Sequence, residues 1–277
     1  MLNRASKPFV KLVERYLPDP YIFVLLLTLI TFAFAVVIQN QSPLTTIRQW
    51  GDGFWGLLTF SMQMLLVLVT GFMLACTPLV KALLERLASL AKSPGSAIVL
   101  VTLVSLIASW INWGFGLVVG ALFAKALARK VSVDYRLLVA SAYSGFIVWH
   151  GGLAGSVPLT IATPGHFSEA QIGVVGTGET IFSGFNLLLL AIMFVIIPLV
   201  NRLMLPPESE SIIVDSAKLK DDALPSATNE RPADKLENSK VLGLLVGFAG
   251  LAYLTNYFVS GGGLNLNIVN TLFLFLA

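Results

Sequence analysis

The chain has 277 residues, 56% of them hydrophobic and 12% charged, with a mean hydropathy of +0.82 and a formal net charge of +3. That composition lies far outside the range of water-soluble domains and excludes a conventional soluble core. One cysteine, Cys76, excludes an internal disulfide framework and a cysteine-rich metal site, and the Lys and Arg residues sit in short segments beside apolar runs, a pattern of membrane topology and not of nucleic-acid binding.

Residues 1–20 carry Arg4, Lys7, Lys11 and Arg15 and read as a cytoplasmic tail. The long apolar run that follows argues for a retained first span instead of a cleaved signal. About 20 apolar residues cross roughly 30 Å of hydrocarbon as a helix. Uncharged runs of this kind occupy residues 21–38, 54–80, 96–124, 137–158, 181–200 and 241–260, and another begins near Leu266 and runs to the chain end. None of these runs contains Asp, Glu, Lys or Arg, as expected where a charge at mid-membrane costs several kcal/mol.

The run at 96–124 is long for one crossing and is interrupted by Asn112-Trp113-Gly114-Phe115-Gly116. Its arms, about 16 and 8 residues, are each short of a full span, so a re-entrant hairpin is expected. Basic residues favour this reading, because Lys and Arg collect on the cytoplasmic side. A hairpin that leaves on the side it entered puts 17 of the 18 basic residues inside, whereas a single crossing leaves 7 inside and 11 outside. Two full short crossings have the same parity. Before the hairpin, Val80, Leu83, Leu84, Leu87 and Leu90 recur at helical spacing and predict a helix lying in the interface. Ser93 and Pro94 supply an N-cap and a first-turn proline for the first arm.

Residues 205–239 hold eight acids, four bases, four prolines and no aromatic residue, and are expected to form a flexible cytoplasmic linker. The chain thus divides into a tail (1–20), a first transmembrane repeat (21–204), the linker, and the start of a second repeat (240–277) whose last span is incomplete.

Non-helical backbone at membrane depth leaves peptide groups unpaired unless they line a cavity or meet a ligand. Two such interruptions occur: the hairpin tip at Asn112 to Gly116, and the sequence from Trp149 to Pro158, where three glycines and a proline should end or unwind the helix of run 137–158. Helix N-termini carry about half a positive charge. An organic anion is therefore held there without a buried Lys or Arg, by amides and neutral groups. The candidate substrate- and ion-binding residues are Asn112, Gly114, Gly116, Ser144, His150, Gly151, Gly152, Gly155, Ser156 and Thr160. The bland alternatives are a tight turn with Trp113 at an interface, close helix packing at the glycines, and a hydrogen-bonded neutral His150. His150 is the side chain in these runs whose type titrates near neutral pH, and it is a candidate proton carrier. Gly116 and Gly120 form a small-xxx-small pair that suits packing of the hairpin arms.

No nucleophile elbow, intramembrane aspartate pair, nucleotide-binding loop or HExxH motif occurs in the sequence, so neither an enzyme nor a cofactor is expected.

The stretches Tyr16-Leu-Pro-Asp-Pro20, Trp50-Gly-Asp-Gly-Phe-Trp55 with Ser61-Met-Gln-Met64, Asn112-Trp-Gly-Phe-Gly-Leu-Val-Val-Gly120, Ala162-Thr-Pro-Gly-His166 and Phe182-Ser-Gly-Phe-Asn186 resemble the short-chain fatty acid transporter family over the first two-thirds of the chain. The resemblance implies an all-α polytopic bundle of the bacterial inner membrane, N-terminus cytoplasmic, with a re-entrant hairpin and a broken helix forming the first of two inverted repeats. It implies ion-coupled, alternating-access uptake of acetoacetate- or butyrate-like monocarboxylates. The partners expected are the carboxylate, a coupling cation (proton or sodium) and the lipid bilayer, with homo-oligomer formation left open and no nucleic acid. Members of that family continue through a second repeat. The other expectation is therefore a truncated, non-transporting fragment, or one half of a split transporter.

Overall fold

The computed structural model describes residues 2–17, 19–53, 55–219 and 239–276. Among them every regular element is a helix. Six helical segments are long and apolar enough to cross a membrane: Pro20–Val37, Leu58–Ala75, Pro94–Ile111, Tyr135–Ile161, Gly184–Leu203 and Lys240–Val259.

The chain forms two compact units, Met1–Met62 and Gln63–Ala277. The first holds α1 (Leu2–Tyr16), α2 (Pro20–Val37) and α3 (Pro43–Gly53). The expected tail is thus helical through α1. Asp19 starts α2 by accepting the Tyr21 amide at 2.9 Å, with Pro20 in the first position, where its missing N–H is no loss. Trp50 of α3 meets Phe32 of α2 edge to face, ring centroids 6.2 Å apart.

The second unit is built around α6 (Pro94–Ile111) and α7 (Trp113–Lys130). As expected, Ser93 caps α6, in a reciprocal pair with Ser96. A single residue, Asn112, separates the two helices. A Cβ on Gly116 would collide with Ser109 and one on Gly120 would lie 2.8 Å from the Ser105 hydroxyl. That reversed order is an antiparallel pair whose outer ends share one side, and it confirms Gly116 and Gly120 as packing positions. The arms differ from the expected lengths. Each has 18 residues, about 27 Å of helix, because α7 runs on through Lys125, Arg129 and Lys130. Arm length therefore does not separate a re-entrant hairpin from two short crossings.

Around this pair stand α4 (Leu58–Ala75), α5 (Pro78–Ala88), α8 (Tyr135–Ser144) and α11 (Gly184–Leu203). Their core is rich in small residues, with Ala75, Ala88, Ala97, Ala124 and Ala126 closing on Ile98, Phe123, Leu127 and Leu138. α5 turns Leu84 and Ala88 inward and leaves Leu83 exposed, and Leu90, two residues past its end, is exposed as well. Beyond α8 come a 3₁₀ turn (Gly145–Gly151), α9 (Ser156–Ile161) and α10 (Glu169–Ile172). After the linker, α12 (Lys240–Val259) and α13 (Leu266–Leu276) pack on each other.

The first part of the expected linker is held in place. Tyr135 donates its amide to the Ile212 carbonyl at 2.9 Å, the Ile212 amide donates to Asp134 Oδ2 at 2.9 Å, and Arg129 donates to the Leu219 carbonyl at 3.1 Å. Residues 220–238 of that linker lie outside the described residues.

Candidate functional site

Asn112 is extended (φ −155°, ψ 127°), so the helix cannot run through it. Its amide donates to Ala108 O and finishes α6, while its side-chain Oδ1 accepts the Phe115 amide at 2.9 Å and starts α7. Because the Phe115 N–H requires an acceptor, the amide orientation is fixed: Oδ1 is used in the cap, and Nδ2 points away from it. Asn112 is fully buried and Nδ2 has no acceptor among the described residues. The indole N–H groups of Trp110 and Trp113 are also buried without an acceptor. Three of the four residues 110–113 therefore carry buried side-chain donors that lack partners. Each such group costs about 1–3 kcal/mol if it stays unpaired.

The tip packs on α4. A Cβ on Gly114 would lie 2.8 Å from Leu68 Cα, and one on Gly71 would lie 2.9 Å from Asn112 Oδ1 and collide with the Phe115 amide. Only glycine lets these backbones approach so closely. The contact falls at Val67 to Gly71, and the uncharged run 54–80 has its midpoint at residue 67.

The second interruption begins earlier than the sequence suggested. The α-helix stops at Ser144, tightens to 3₁₀ through Gly145–Gly151, opens to extended backbone at Gly152 (φ −96°, ψ 176°), and resumes at Ser156. Gly145 accounts for the early onset, since a Cβ there would sit 2.5 Å from the Ser105 side chain. Pro158, expected to end a helix, instead sits in the first turn of α9, where no backbone donor is needed.

The two interruptions meet. The Leu153 amide donates to the Trp110 carbonyl at 2.7 Å, pairing an acceptor left open at the end of α6. Gly152 packs directly on that carbonyl, where a side chain would collide. Trp113 lies not at an exposed interface but among the rings of the break, 6.3 Å from Phe146 and 5.9 Å from Trp149.

Asn112, Gly114, Gly116, Gly151 and Gly152 are thus gathered at one junction, and Gly155 folds back on the turn, where an added Cβ would lie 2.5 Å from the His150 carbonyl. The other candidates stand apart. His150 is exposed, its ring 3.7 Å from that of Trp149. Thr160 donates to the Ser156 carbonyl at 2.6 Å, so that pair satisfies itself. Ser144 belongs to a second polar group, in which Asn201 Nδ2 donates to Ser144 Oγ at 2.7 Å and to Thr102 Oγ1 at 3.0 Å. Thr102 is ten residues from Asn112, about 15 Å along α6.

Two asparagines that were not among the candidate site residues make structural bonds here. Asn201 is buried near the end of α11, and Asn186 in its first turn donates to the Gly151 carbonyl at 3.0 Å and the Ile181 carbonyl at 2.7 Å, tying α11 to the break. An amide inside an otherwise apolar run is the signal that could have found both. At the base of α8, outside the span, Asp134 accepts from the Leu137 amide, from Arg136 and from the Ile212 amide. Burial pushes this carboxyl upward, but the three hydrogen bonds outweigh it and hold it below the usual carboxylate range. A surface cavity of about 340 Å³, with Leu90, Ser93, Leu100 and Arg202 in its lining, opens at the base of the hairpin.

The family model described as "Short chain fatty acid transporter" matches residues 1–277. A protein of Escherichia coli strain K12, provisionally described as a short-chain fatty acid transporter, is 44% identical over 281 residues, which cover 99% of this chain and 63% of that protein. A Haemophilus influenzae protein with the same description is 40% identical, covering 99% of this chain and 64% of its own length. The chain thus spans a little under two thirds of each of these bacterial relatives. No solved structure matches it. With its six apolar segments of spanning length and a match along its whole length, this multi-pass membrane protein belongs to the short chain fatty acid transporter family.

Proposed function

We propose that the chain contributes one half of a secondary transporter that takes short-chain monocarboxylates into the cell by ion-coupled alternating access. The observation that carries this reading is the surplus of buried donors at the tip: Asn112 Nδ2 with the Trp110 and Trp113 indole N–H groups, and no acceptor for any of them among the described residues. Two carboxylate oxygens supply the missing acceptors, and the first amides of α7 add the partial positive charge of a helix start. A cation is disfavoured at the same spot, because the Asn112 oxygen is already engaged by the Phe115 amide. The lack of a full positive charge suits a substrate that must also leave, since a paired lysine would hold it too tightly.

The hairpin is read as re-entrant. Supporting this, its tip meets α4 at the midpoint of an uncharged run, as a position of Asn112 near half depth requires, and its antiparallel arms return Lys92 and Lys125 to one side. With the basic residues counted on this topology, that side and the N-terminus are cytoplasmic, in the inner membrane. The coupling ion is a proton or sodium. In this reading the second inverted repeat corresponds to the part of the relatives that the match does not cover.

The test is uptake of labelled butyrate into proteoliposomes under proton and sodium gradients. The chain is reconstituted alone and together with the unmatched part of the Escherichia coli relative. Accumulation in the paired sample that is abolished by Asn112→Asp supports the reading, whereas no accumulation under either gradient removes it.

A further inference from the structure

We infer that α1 is a membrane-surface helix that binds the anionic phospholipid headgroups of the leaflet next to the start of α2. The face is built by position: Phe9, Leu12, Val13 and Tyr16 recur at i, i+3, i+4 and i+7, and all four are largely exposed, Phe9 at 68% and Tyr16 at 66%. Lys7, Lys11 and Arg15 follow one another at i+4 on the opposite side. The helix is therefore divided lengthwise into an apolar and a cationic half, while its overall hydrophobicity is too low for a span.

The neighbouring element says what covers the apolar half. α1 ends at Tyr16 and the uncharged helix α2 begins at Pro20, so three residues, at most about 10 Å of chain, join them. If α2 crosses the bilayer, the end of α1 is pinned at its surface. Water then leaves the apolar face unpaid, and the nearest apolar phase is the acyl boundary of that leaflet. Three cations on the opposite side complement phosphate headgroups, and their attraction falls off within a Debye length, so it works only for a helix held at the surface. None of this depends on what the protein transports, and a failure of uptake leaves it standing.

The full chain, with Cys76→Ser, is labelled with a nitroxide at a single cysteine placed at Phe9, Leu12 or Lys11. It is reconstituted in vesicles of phosphatidylcholine alone or of phosphatidylcholine with phosphatidylglycerol, and accessibility to oxygen and to a neutral nickel chelate is measured. With phosphatidylglycerol present, labels at positions 9 and 12 are expected to favour oxygen several-fold over the label at 11. That preference should shrink in phosphatidylcholine alone, in high salt, and in a Lys7→Gln, Lys11→Gln, Arg15→Gln variant. Equal accessibility on both faces overturns the inference. So does exclusion of both reagents at 9 and 12, which marks a face packed on protein or on a second copy. Immersion that ignores lipid charge overturns it too, leaving a helix held by apolar burial alone.

Discussion

Helices α2 and α6 have the same length, 18 residues, and similar mean hydropathy, 2.5 and 2.0, yet α2 buries none of its residues and α6 buries eight. Hydrophobicity is therefore not what separates a lipid-facing helix from a core helix in this molecule. The difference lies in what α6 places inward: Ala97, Thr102, Ser105, Ala108 and Ser109, small or hydroxylated side chains that admit Gly116, Gly120 and Gly145 at close range. In lipid, apolar surface gains little by leaving one hydrocarbon for another, so helices associate where backbones can approach and polar groups can pair. α2 exposes Leu, Ile and Phe along its length, and its two threonines pair within the helix itself.

The largest effect should follow Asn112→Asp, because the two roles of Asn112 come apart in that variant. An aspartate caps a helix as well as asparagine does, so α7 should still start, although a carboxylate buried at this point costs several kcal/mol of stability and folding is checked alongside. It replaces the free donor by a charged acceptor facing the proposed carboxylate. The loss of one hydrogen bond to a charged group, about 1.5–3 kcal/mol, lowers butyrate affinity about 10- to 100-fold before repulsion is added. Equilibrium binding in nanodiscs reads this directly, and unchanged affinity in a folded variant would move the site away from the tip.

Next comes Gly71→Leu on α4, where the added side chain meets the Phe115 amide and Asn112. Overpacking of this kind costs about 1–3 kcal/mol, expected as an earlier thermal unfolding transition in detergent. Asn201→Ala should cost about 1–2 kcal/mol through loss of the bonds to Thr102 and Ser144. Asp134→Asn should cost a similar amount at pH 7 and loosen residues 206–219 toward limited proteolysis. The sign of its pH dependence follows from the depressed carboxyl: its stabilisation is complete above the unfolded value of about 3.9 and is lost as pH falls through the folded value. The gap between Asp134 and its Asn variant should accordingly narrow below about pH 4.

Much of this architecture was legible because the bilayer permits so few solutions. Uncharged length located every long apolar helix, and Ser93-Pro94 and Asn112 marked where the hairpin starts and turns. What the sequence could not supply was depth of burial. Gly71 reads as one more residue of a smooth apolar run, and only its contact with the tip shows why a side chain is forbidden there. Gly145 looked ordinary beside the cluster at 151–155, yet it is where the α-helix gives way. His150 drew notice as a titratable group and proved exposed, whereas Asn186 and Asn201, which cannot titrate, hold α11 to the rest. The segment 205–219 was expected to be flexible from its composition alone, because the groups that hold it, Asp134 and Arg129 among them, lie 78 and 90 residues earlier.

The smallest effect sharpens the comparison most. Thr28 and Thr31 are the threonines of α2, and each donates within its own helix, to Val24 O at 2.8 Å and Leu27 O at 2.8 Å. Their hydroxyls thus hold α2 to nothing else, unlike Thr102, whose oxygen also accepts from Asn201. The double variant Thr28→Val, Thr31→Val removes both polar groups without changing shape, and the carbonyls keep their helical amide partners. A shift within about 0.5 kcal/mol is expected, as for substitutions remote from any packed contact, while Thr102→Val in α6 should cost clearly more by stranding Asn201. If thermal unfolding shows the α2 pair to matter as much as Thr102, then α2 is packed against protein through that face, and the contrast between a lipid-facing helix and a core helix collapses.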